Sequence, residues 1–524
     1  MTATERRPPS LGGAGGTKTT TLMRAAVVTV VITLSGSLLG LVRDLLLARF
    51  FGANGGTDAF LVAWTVPETA FPLVVEGAMS LLMIPLFSRA LSQQRARAAA
   101  KEVVAATLPR VVAALVVISG LAIVGAPLLV RIVAPGLADP ALAVTCTRLT
   151  SITVLTFGLA GYLSAALRAN HVFGAPATIH LAYNIGILGL MWTLHGRLGI
   201  VSAAAGVALG SVFMVVAQVP SFLRHIGLPR RWRVSGPAVT LGAFAPIAVY
   251  TLTRQAQVFI ERFLGSSLPP GTISHLNYAQ KVAQMPMLVA LLVCTVTFPT
   301  LARSVASGEA ETARRRLEAD LRTVTALIFV AAAYLIAFAP TVVAVLLQHG
   351  EFTAADTAAT AAIMRVYAVG VLGHALVGVL SRPFFLGERP TWYPAAAMGI
   401  GLAVTAVLAV AGVPFLHAYA IAAANGAGIT TTAVLLLIGL RGRFVAVSLK
   451  AVGGSALRLA ASAAGAGVLG WLAGQAMTGW PPAVVAVAGG LVVLAAFAAL
   501  ARLAGVDEAT ALAAQLNRRI RHGR

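Results

Sequence analysis

The chain has 524 residues, 58% of them hydrophobic and only 11% charged, with a formal net charge of +22. Soluble domains run at about 25% charged residues, so water is excluded as the main solvent, and the mean hydropathy of +0.87 is spread along the chain rather than held in one tail. In a soluble protein such a charge would suggest nucleic acid, but here it follows membrane topology, and no nucleic-acid partner is expected.

Residues 1–22 read as a disordered cytoplasmic tail. Its run Gly12-Gly13-Ala14-Gly15-Gly16-Thr17-Lys18-Thr19 lacks the glycine–lysine spacing and the preceding strand of a phosphate-binding loop. The first apolar stretch leads into a charged, patterned segment instead of a small-residue cleavage site, so it is expected to be retained. Apolar stretches then fall at 24–52, 57–88, 103–134, 139–167, 174–195, 199–223, 237–265, 272–302, 321–347, 355–386, 391–413, 417–440, 451–474 and 481–503, about fourteen spans by length. Runs such as Val111–Val130 are continuous rather than alternating, which selects helices over a barrel. The fold class is therefore an all-α integral membrane protein. Cys146 and Cys294 sit inside apolar stretches, where a thiol acts as a small hydrophobe. No metal site or disulfide is assigned to them.

The connections alternate in charge. Arg89, Arg95, Arg97 and Lys101 lie in one, Arg224, Arg230, Arg231 and Arg233 in another, and Arg303, Arg314, Arg315, Arg316 and Arg322 in a third; Arg382 with Arg389, and Arg441 with Arg443 and Lys450, continue the series. The intervening connections are nearly free of Lys and Arg. Basic loops stay in the cytoplasm, which gives an even number of spans with both termini inside. A short echo, Arg49-Phe50-Phe51-Gly52 ending the first span and Arg262-Phe263-Leu264-Gly265 ending the seventh, fits two repeated halves. The chain divides accordingly into 23–225 and 236–441, two six-helix bundles, then two further helices over 451–505 and a cytoplasmic tail over 506–524.

Ionisable groups at membrane depth cost about 2.5–3.5 kcal/mol each on insertion scales, so they mark a protein interior or a wet cavity. Span 7 sets Tyr250, Arg254, Gln257 and Glu261 on one helical face, and span 8 does the same with Asn277, Lys281 and Gln284. Span 1 adds Arg43 and Asp44, and span 2 adds Thr65, Glu68 and Glu76 with Asp58 at its end. One reading is a hydrated cavity in which Arg43, Arg254 and Lys281, with Glu76, Asn277 and Gln257, face an anionic substrate. The other is that these groups form internal ion pairs that fix packing, such as Arg43 with Glu76 or Arg254 with Glu261. Asp44, Asp58, Glu68 and Glu261, with Arg49, are candidates for ion coupling or gating.

The segment Gly40-Leu-Val-Arg43-Asp44, Ala48-Arg49-Phe50-Phe51-Gly52, Thr57-Asp58-Ala59-Phe60, Pro67, Glu76-Gly77-Ala78 and Pro85 resembles the MurJ/MviN family of lipid II flippases. Asn277-Tyr278-Ala279, Phe298-Pro299, Ala306-Ser307-Gly308 and Gln348-His349-Gly350-Glu351-Phe352-Thr353-Ala354 continue the resemblance in the family's order. It implies the fold of the MOP exporter superfamily: two six-helix bundles about a cavity lined by helices 1, 2, 7 and 8, plus two C-terminal helices forming a groove for a lipid tail. It also implies alternating access driven by membrane potential or an ion gradient, without a cofactor. The implied substrate is an undecaprenyl-pyrophosphate-linked peptidoglycan precursor, lipid II or a related lipid-linked glycan, in the bacterial inner membrane. Membrane lipids and cell-wall synthesis proteins are the implied partners.

Arg43 and Asp58 match the family pattern. Its other cavity arginines fall on Ser37, on Phe71-Pro72 and on Lys281, while Arg254 is an additional cation. Lys is a point charge and lacks the bidentate fork of Arg. An ion-coupled exporter of a small molecule, similar to MATE transporters of the same superfamily, is the alternative function. An enzyme is not expected, since the interior loops are short and Arg-rich with no clustered carboxylates.

Overall fold

The computed structural model describes residues 35–36, 38–229, 245–307, 309–385, 391–441 and 449–505. The two expected tails, Ser37, and the loop arginines Arg230, Arg231, Arg233, Arg389 and Arg443 lie outside the described residues, as do the side chains of 291–306 with Cys294. Cys146 is buried and free.

The described chain is helical. The long helices are α1 (38–51), α2 (Gly55–Leu91), α3 (Ala96–Val124), α4 (Pro140–Ala169), α5 (Gly174–Leu198), α6 (Val201–His225), α7 (Ala245–Gly265), α8 (Thr272–Ala306), α9 (Ala310–Ala337), α10 (Ala354–Leu380), α11 (Tyr393–Leu416), α12 (Ala418–Arg441), α13 (Leu449–Ala476) and α14 (Pro482–Leu503). Among the described residues, 11 helices are long and apolar enough to cross a membrane. Helix α7 falls short because Arg254, Gln255, Gln257, Glu261 and Arg262 all sit within its 21 residues.

Sequence signals account for the helix ends. Asn54 caps α2 by accepting hydrogen bonds from Gly56 N and Thr57 N. Asp139 caps α4, with Pro140 as its first residue. Thr353 and Asp356 form a reciprocal capping box on α10. Two expected spans are divided. The 103–134 stretch begins earlier, at Ala96, and breaks at Gly125 before a short helix Ala126–Val133. The 321–347 stretch begins at Ala310, where Glu311 pairs with Arg314 and Arg315 one turn on, and breaks at Phe338 before Ala339–Leu347.

Helix α2 contains a π-helical stretch, Phe71–Met79, which wider turns and two prolines, Pro67 and Pro72, make intelligible. Pro72 has no N–H, so the Glu68 carbonyl loses its helical partner; Gln255 of α7 donates to it instead, at 2.7 Å. The same logic recurs where Pro340 strips the Ile336 carbonyl and Arg365 Nε of α10 donates to it at 3.1 Å.

Within α1–α6, α5 packs on α6, α4 on α2, α3 and α6; within α7–α12, α7 packs on α11, α8 on α9 and α10, and α12 on α10 and α11. Helices α13 and α14 pair with each other and lean on α9. The two sets meet along α2, α7 and α8, and at one end of the molecule they form a seam of backbone on backbone. There Glu351 N donates to Arg49 O at 2.9 Å, and Gly136 N donates to Ser266 Oγ at 3.2 Å. Gly52 and Gly271 have φ of +63° and +92°, and a Cβ at either would lie 2.6 Å from a carbonyl oxygen, of Glu351 and Ala53 respectively. Only glycine permits this approach.

The α5–α6 interface is equally close: a Cβ on Gly210 would collide with the Tyr183 carbonyl. Gly210→Ala is therefore expected to lower stability by about 1–3 kcal/mol, seen as a reduced melting temperature of the detergent-purified protein. Gly174→Ala, where nothing lies within 4 Å, serves as the control. Equal melting of the two variants would contradict the packing.

Candidate functional site

Helix α1 delivers Arg43 and Asp44 to the interior, and α8 delivers Lys281 opposite them. Arg43 donates to Asp44 Oδ1 from Nη2 at 2.8 Å and from Nε at 3.0 Å, and Lys281 Nζ donates to Asp44 Oδ2 at 3.1 Å. One carboxylate thus bridges two cations from different helix sets, one oxygen for each. Arg43 also lies over the Trp64 ring, 4.5 Å from its centroid, a cation–π contact. Around the cluster, Leu47, Phe60, Leu61, Ile187 and Met191 leave a cavity of only ≈ 10 Å³, about the room one water needs.

Asp58, 3% exposed, serves as a cap for the neighbouring set. Its Oδ2 accepts from Gly271 N at 2.6 Å, and its Oδ1 from Ser274 N at 2.7 Å and Ser274 Oγ at 2.6 Å. A carboxylate at the start of α8 meets both the free N–H groups and the positive end of the helix dipole. Arg49 belongs to the same seam through its backbone oxygen, while its side chain is exposed.

A buried polar network lies beside these groups. Glu261, 2% exposed, accepts from Asn425 Nδ2 at 2.7 Å and from Gln280 Nε2 at 3.3 Å, and Asn425 Oδ1 meets His374 Nε2 at 2.8 Å. Four helices, α7, α8, α10 and α12, are joined by this chain of bonds. The next residue, Arg262, is also 2% exposed and donates to Asn277 Oδ1 at 3.3 Å, which turns Asn277 away from any open space. Gln257 is buried and Glu68 half-buried; Glu68 lies within electrostatic reach of Arg43 and Glu261.

The two ion pairs considered from sequence are not formed. Arg43 takes Asp44 rather than Glu76. Arg254 and Glu261 share a face but stand seven residues apart, about 10 Å along the axis, and Glu261 is satisfied by Asn425 and Gln280 instead. Arg254 and Glu76 are exposed, and Glu76 lies within electrostatic reach of Arg254 and of Arg168 on α4. Arg168, His374, Asn425 and Arg262 escape the sequence reading. His374 and Asn425 are isolated polar residues in apolar spans, a detectable signal; Arg262 is visible only as part of a repeat, and Arg168 only as an arginine at a span end.

A cavity of ≈ 610 Å³ opens on the outer surface of the helices, lined by Ile328, Phe329 and Ile336 of α9, Leu372 of α10, and Gly467 and Trp471 of α13. Its lining is almost wholly apolar. Helix α14 contributes none of the lining residues, so the groove lies between α13 and its neighbours α9 and α10 rather than between the two terminal helices. Arg365, the donor to Ile336 O, sits at its edge.

The sequence profile described as lipid II flippase MurJ matches residues 47–488. A lipid II flippase MurJ of Burkholderia cenocepacia is 27% identical over 425 residues, covering 78% of this chain and 82% of the relative. A probable lipid II flippase MurJ of Rhizobium meliloti is 27% identical over 410 residues, covering 74% and 75%. Among solved structures, a lipid II flippase MurJ in an inward closed conformation superposes with a TM-score of 0.74 at 20% identity, covering 91% of this chain and 98% of that one. An inward-facing MATE family transporter of the MOP superfamily superposes with a TM-score of 0.66 at 13% identity, covering 80% and 98%. The structural likenesses establish a shared fold.

Removing the Asp58 carboxylate leaves Gly271 N and Ser274 N without their acceptor, a loss of about 1.5–3 kcal/mol per charged hydrogen bond. In Asp58→Ala the backbone amides of 271–275 are expected to exchange with deuterium at least about tenfold faster than in the parent chain. Unchanged exchange would show that the seam does not depend on Asp58.

Proposed function

The chain belongs to the lipid II flippase MurJ family, and we propose that it carries lipid II, or a related undecaprenyl-pyrophosphate-linked cell-wall precursor, across the bacterial inner membrane by alternating access. The observation that carries this reading is the pairing of two environments. Cationic side chains on α1 and α8 meet in the interior, and an apolar cavity of ≈ 610 Å³ opens to the hydrocarbon side. A substrate with an anionic diphosphate head and a long apolar tail needs both.

In this reading α1–α6 and α7–α12 are the two six-helix bundles, and α13 and α14 complete fourteen spans with both termini in the cytoplasm. The alternation of basic loops supports that orientation. The glycine-lined seam then faces outward and is shut, while the level of Glu76 and Arg254 opens toward the cytoplasm. Arg43, Lys281 and Arg254 would bind the head group. Asp58 would hold the outer gate, and Asp44, Glu68 and Glu261 are the candidates for coupling to a membrane potential or an ion gradient, with no cofactor. No covalent step is required of any residue. A small-molecule exporter of the MATE kind would leave the apolar groove without a role.

Complementation of cells depleted of their own lipid II flippase tests the assignment. The parent chain is expected to restore growth, and Arg43→Ala, Asp58→Ala and Lys281→Ala to fail at equal membrane abundance, because the first and last remove a cation proposed to bind the head group and the second leaves the start of α8 without its capping carboxylate. Lys281→Arg keeps the charge opposite Asp44 and is expected to rescue. Failure of the correctly inserted parent chain would remove lipid II as the substrate.

A further inference from the structure

One arginine of the outer surface takes no part in the passage, and we propose that this residue, Arg365 of α10, anchors the phosphate of a diacyl anionic phospholipid whose two acyl chains lie in the apolar grooves on either side of it. The site stands whatever head group the passage carries.

Arg365 and Val369, one turn apart, form a ridge of α10 with a groove on each flank, and both residues line both grooves. The first groove is the cavity of ≈ 610 Å³ against α9 and α13. The second, of ≈ 530 Å³, runs between α10 and α12 along Gly370, Ala423, Gly426 and Ala427. Small residues create both. A Cβ on Gly370 would lie 2.5 Å from Gly426 Cα, and the atoms nearest a Cβ on Gly467 are those of Ala333, from 3.6 Å; the helices approach closely, and short side chains leave the space beside them open. Helices α9 and α13 run parallel, since Gly467 meets Ala333 while Gly470 meets Phe338 and Ala337. Trp471 therefore stands near the level at which Arg365 Nε donates to Ile336 O, at 3.1 Å. Arginine and tryptophan share one end of the larger groove, and Ile328, Leu372 and Ala460 mark the other.

Charge and shape together select the occupant. Arg365 is exposed, and among the described residues it makes no ion pair; its bond to Ile336 uses Nε, which leaves the two terminal nitrogens for a ligand. A bare guanidinium facing hydrocarbon is costly. A phosphate diester supplies the missing anion and matches the planar fork. Helix α10 begins at Ala354, so Arg365 lies about 16 Å along its axis, and helical side chains lean toward their own N-terminus, which carries the guanidinium back toward that end. Trp471 marks the same level, as tryptophans do near the headgroup boundary. A polyprenyl chain alone would leave the cation unpaired, and a single-chain lipid would leave one groove empty. A diacyl phospholipid with its phosphate on the ridge satisfies the cation and fills both. Such a lipid touches α9, α10, α12 and α13, and so ties the terminal pair of helices to the second set. In the proposed function the substrate's tail enters the larger groove, which makes the phospholipid the occupant of the empty carrier.

The test is native mass spectrometry of the full chain in detergent, titrated with dioleoyl phosphatidylglycerol, its monoacyl form and dioleoylglycerol. The parent chain is expected to hold phosphatidylglycerol about tenfold more tightly than dioleoylglycerol, as one charge-assisted contact implies, and Arg365→Gln to bind the two alike. Arg365→Lys gives up the Nε bond to Ile336 O but keeps the charge, and is expected to retain the preference. Ala423→Phe, at an exposed position of the smaller groove, is expected to weaken phosphatidylglycerol about tenfold, the worth of roughly two buried methylenes. The monoacyl form, which has the larger groove to use, is expected to bind that variant as it binds the parent. Arg110→Gln, on the exposed face of α3, controls for net charge and is expected to match the parent throughout. Parent-like binding in Arg365→Gln, or equal loss in the lysine and glutamine variants, would overturn the anchor. Phosphatidylglycerol binding that ignores Ala423→Phe would overturn the second groove and with it the diacyl ligand.

Discussion

In hydrocarbon a backbone carbonyl without a partner has no water to turn to, and the junctions of this molecule are built where proline creates that problem. Pro72 frees the Glu68 carbonyl, and Gln255 crosses from α7 to satisfy it. Pro340 frees the Ile336 carbonyl, and Arg365 crosses from α10. Each proline thus obliges a specific polar side chain on another helix, so a local backbone defect becomes a defined contact between helices. The first of these contacts fixes α7 against α2 just before its π-helical stretch.

The seam at the other end is governed by a different balance. Glycines at 52, 271 and 350 take positive φ so that main chains can touch, and Asp58 adds three short hydrogen bonds to the start of α8. Polar contacts of this kind exchange readily for water when strands of main chain part, whereas a packed apolar core resists partial separation. The seam therefore suits an interface that opens and closes as a unit, and Asp58 suits its latch, because a capping carboxylate stabilises the helix end only while the two sets are together.

Much of the fold was legible because the membrane imposes a length. The apolar stretches coincide with helices from 55 to 503, and their breaks fall at Gly125 and before Pro340 where proline and glycine dictate. The interior location of Arg43, Lys281, Glu261 and Asp58 was equally readable, since charge in an apolar span has few places to go. Partner choice was not. Spacing puts Arg254 and Glu261 on one face but says nothing of Asn425, more than 160 residues away in sequence, which reaches Glu261 first. The π-helical stretch was invisible too, because it reflects how α2 is held by its neighbours rather than a composition of its own. Arg168 was hidden for a related reason: at a span end, an arginine reads as topology until the packing of α4 on α2 brings it within electrostatic reach of Glu76.

The bridging carboxylate explains how such a passage can hold cations at membrane depth at all. An unpaired buried charge is far more costly than a paired one, and a carrier with bare cations would be unstable whenever it was empty. Asp44 reduces that difficulty by giving one oxygen to Arg43 and the other to Lys281, so it meets both cations but offers the Arg43 fork a single oxygen. An incoming phosphate that offers Arg43 two oxygens competes on better terms than the carboxylate it replaces. Lysine opposite, a compact charge on a flexible stem, can follow whichever anion is present. In the proposed function anion would be exchanged for anion, and the empty passage holds one excess positive charge in this cluster rather than two. Because Asp44 also ties α1 to α8, such an exchange would release a contact between the two sets of helices and so would link occupancy of the passage to their relative movement.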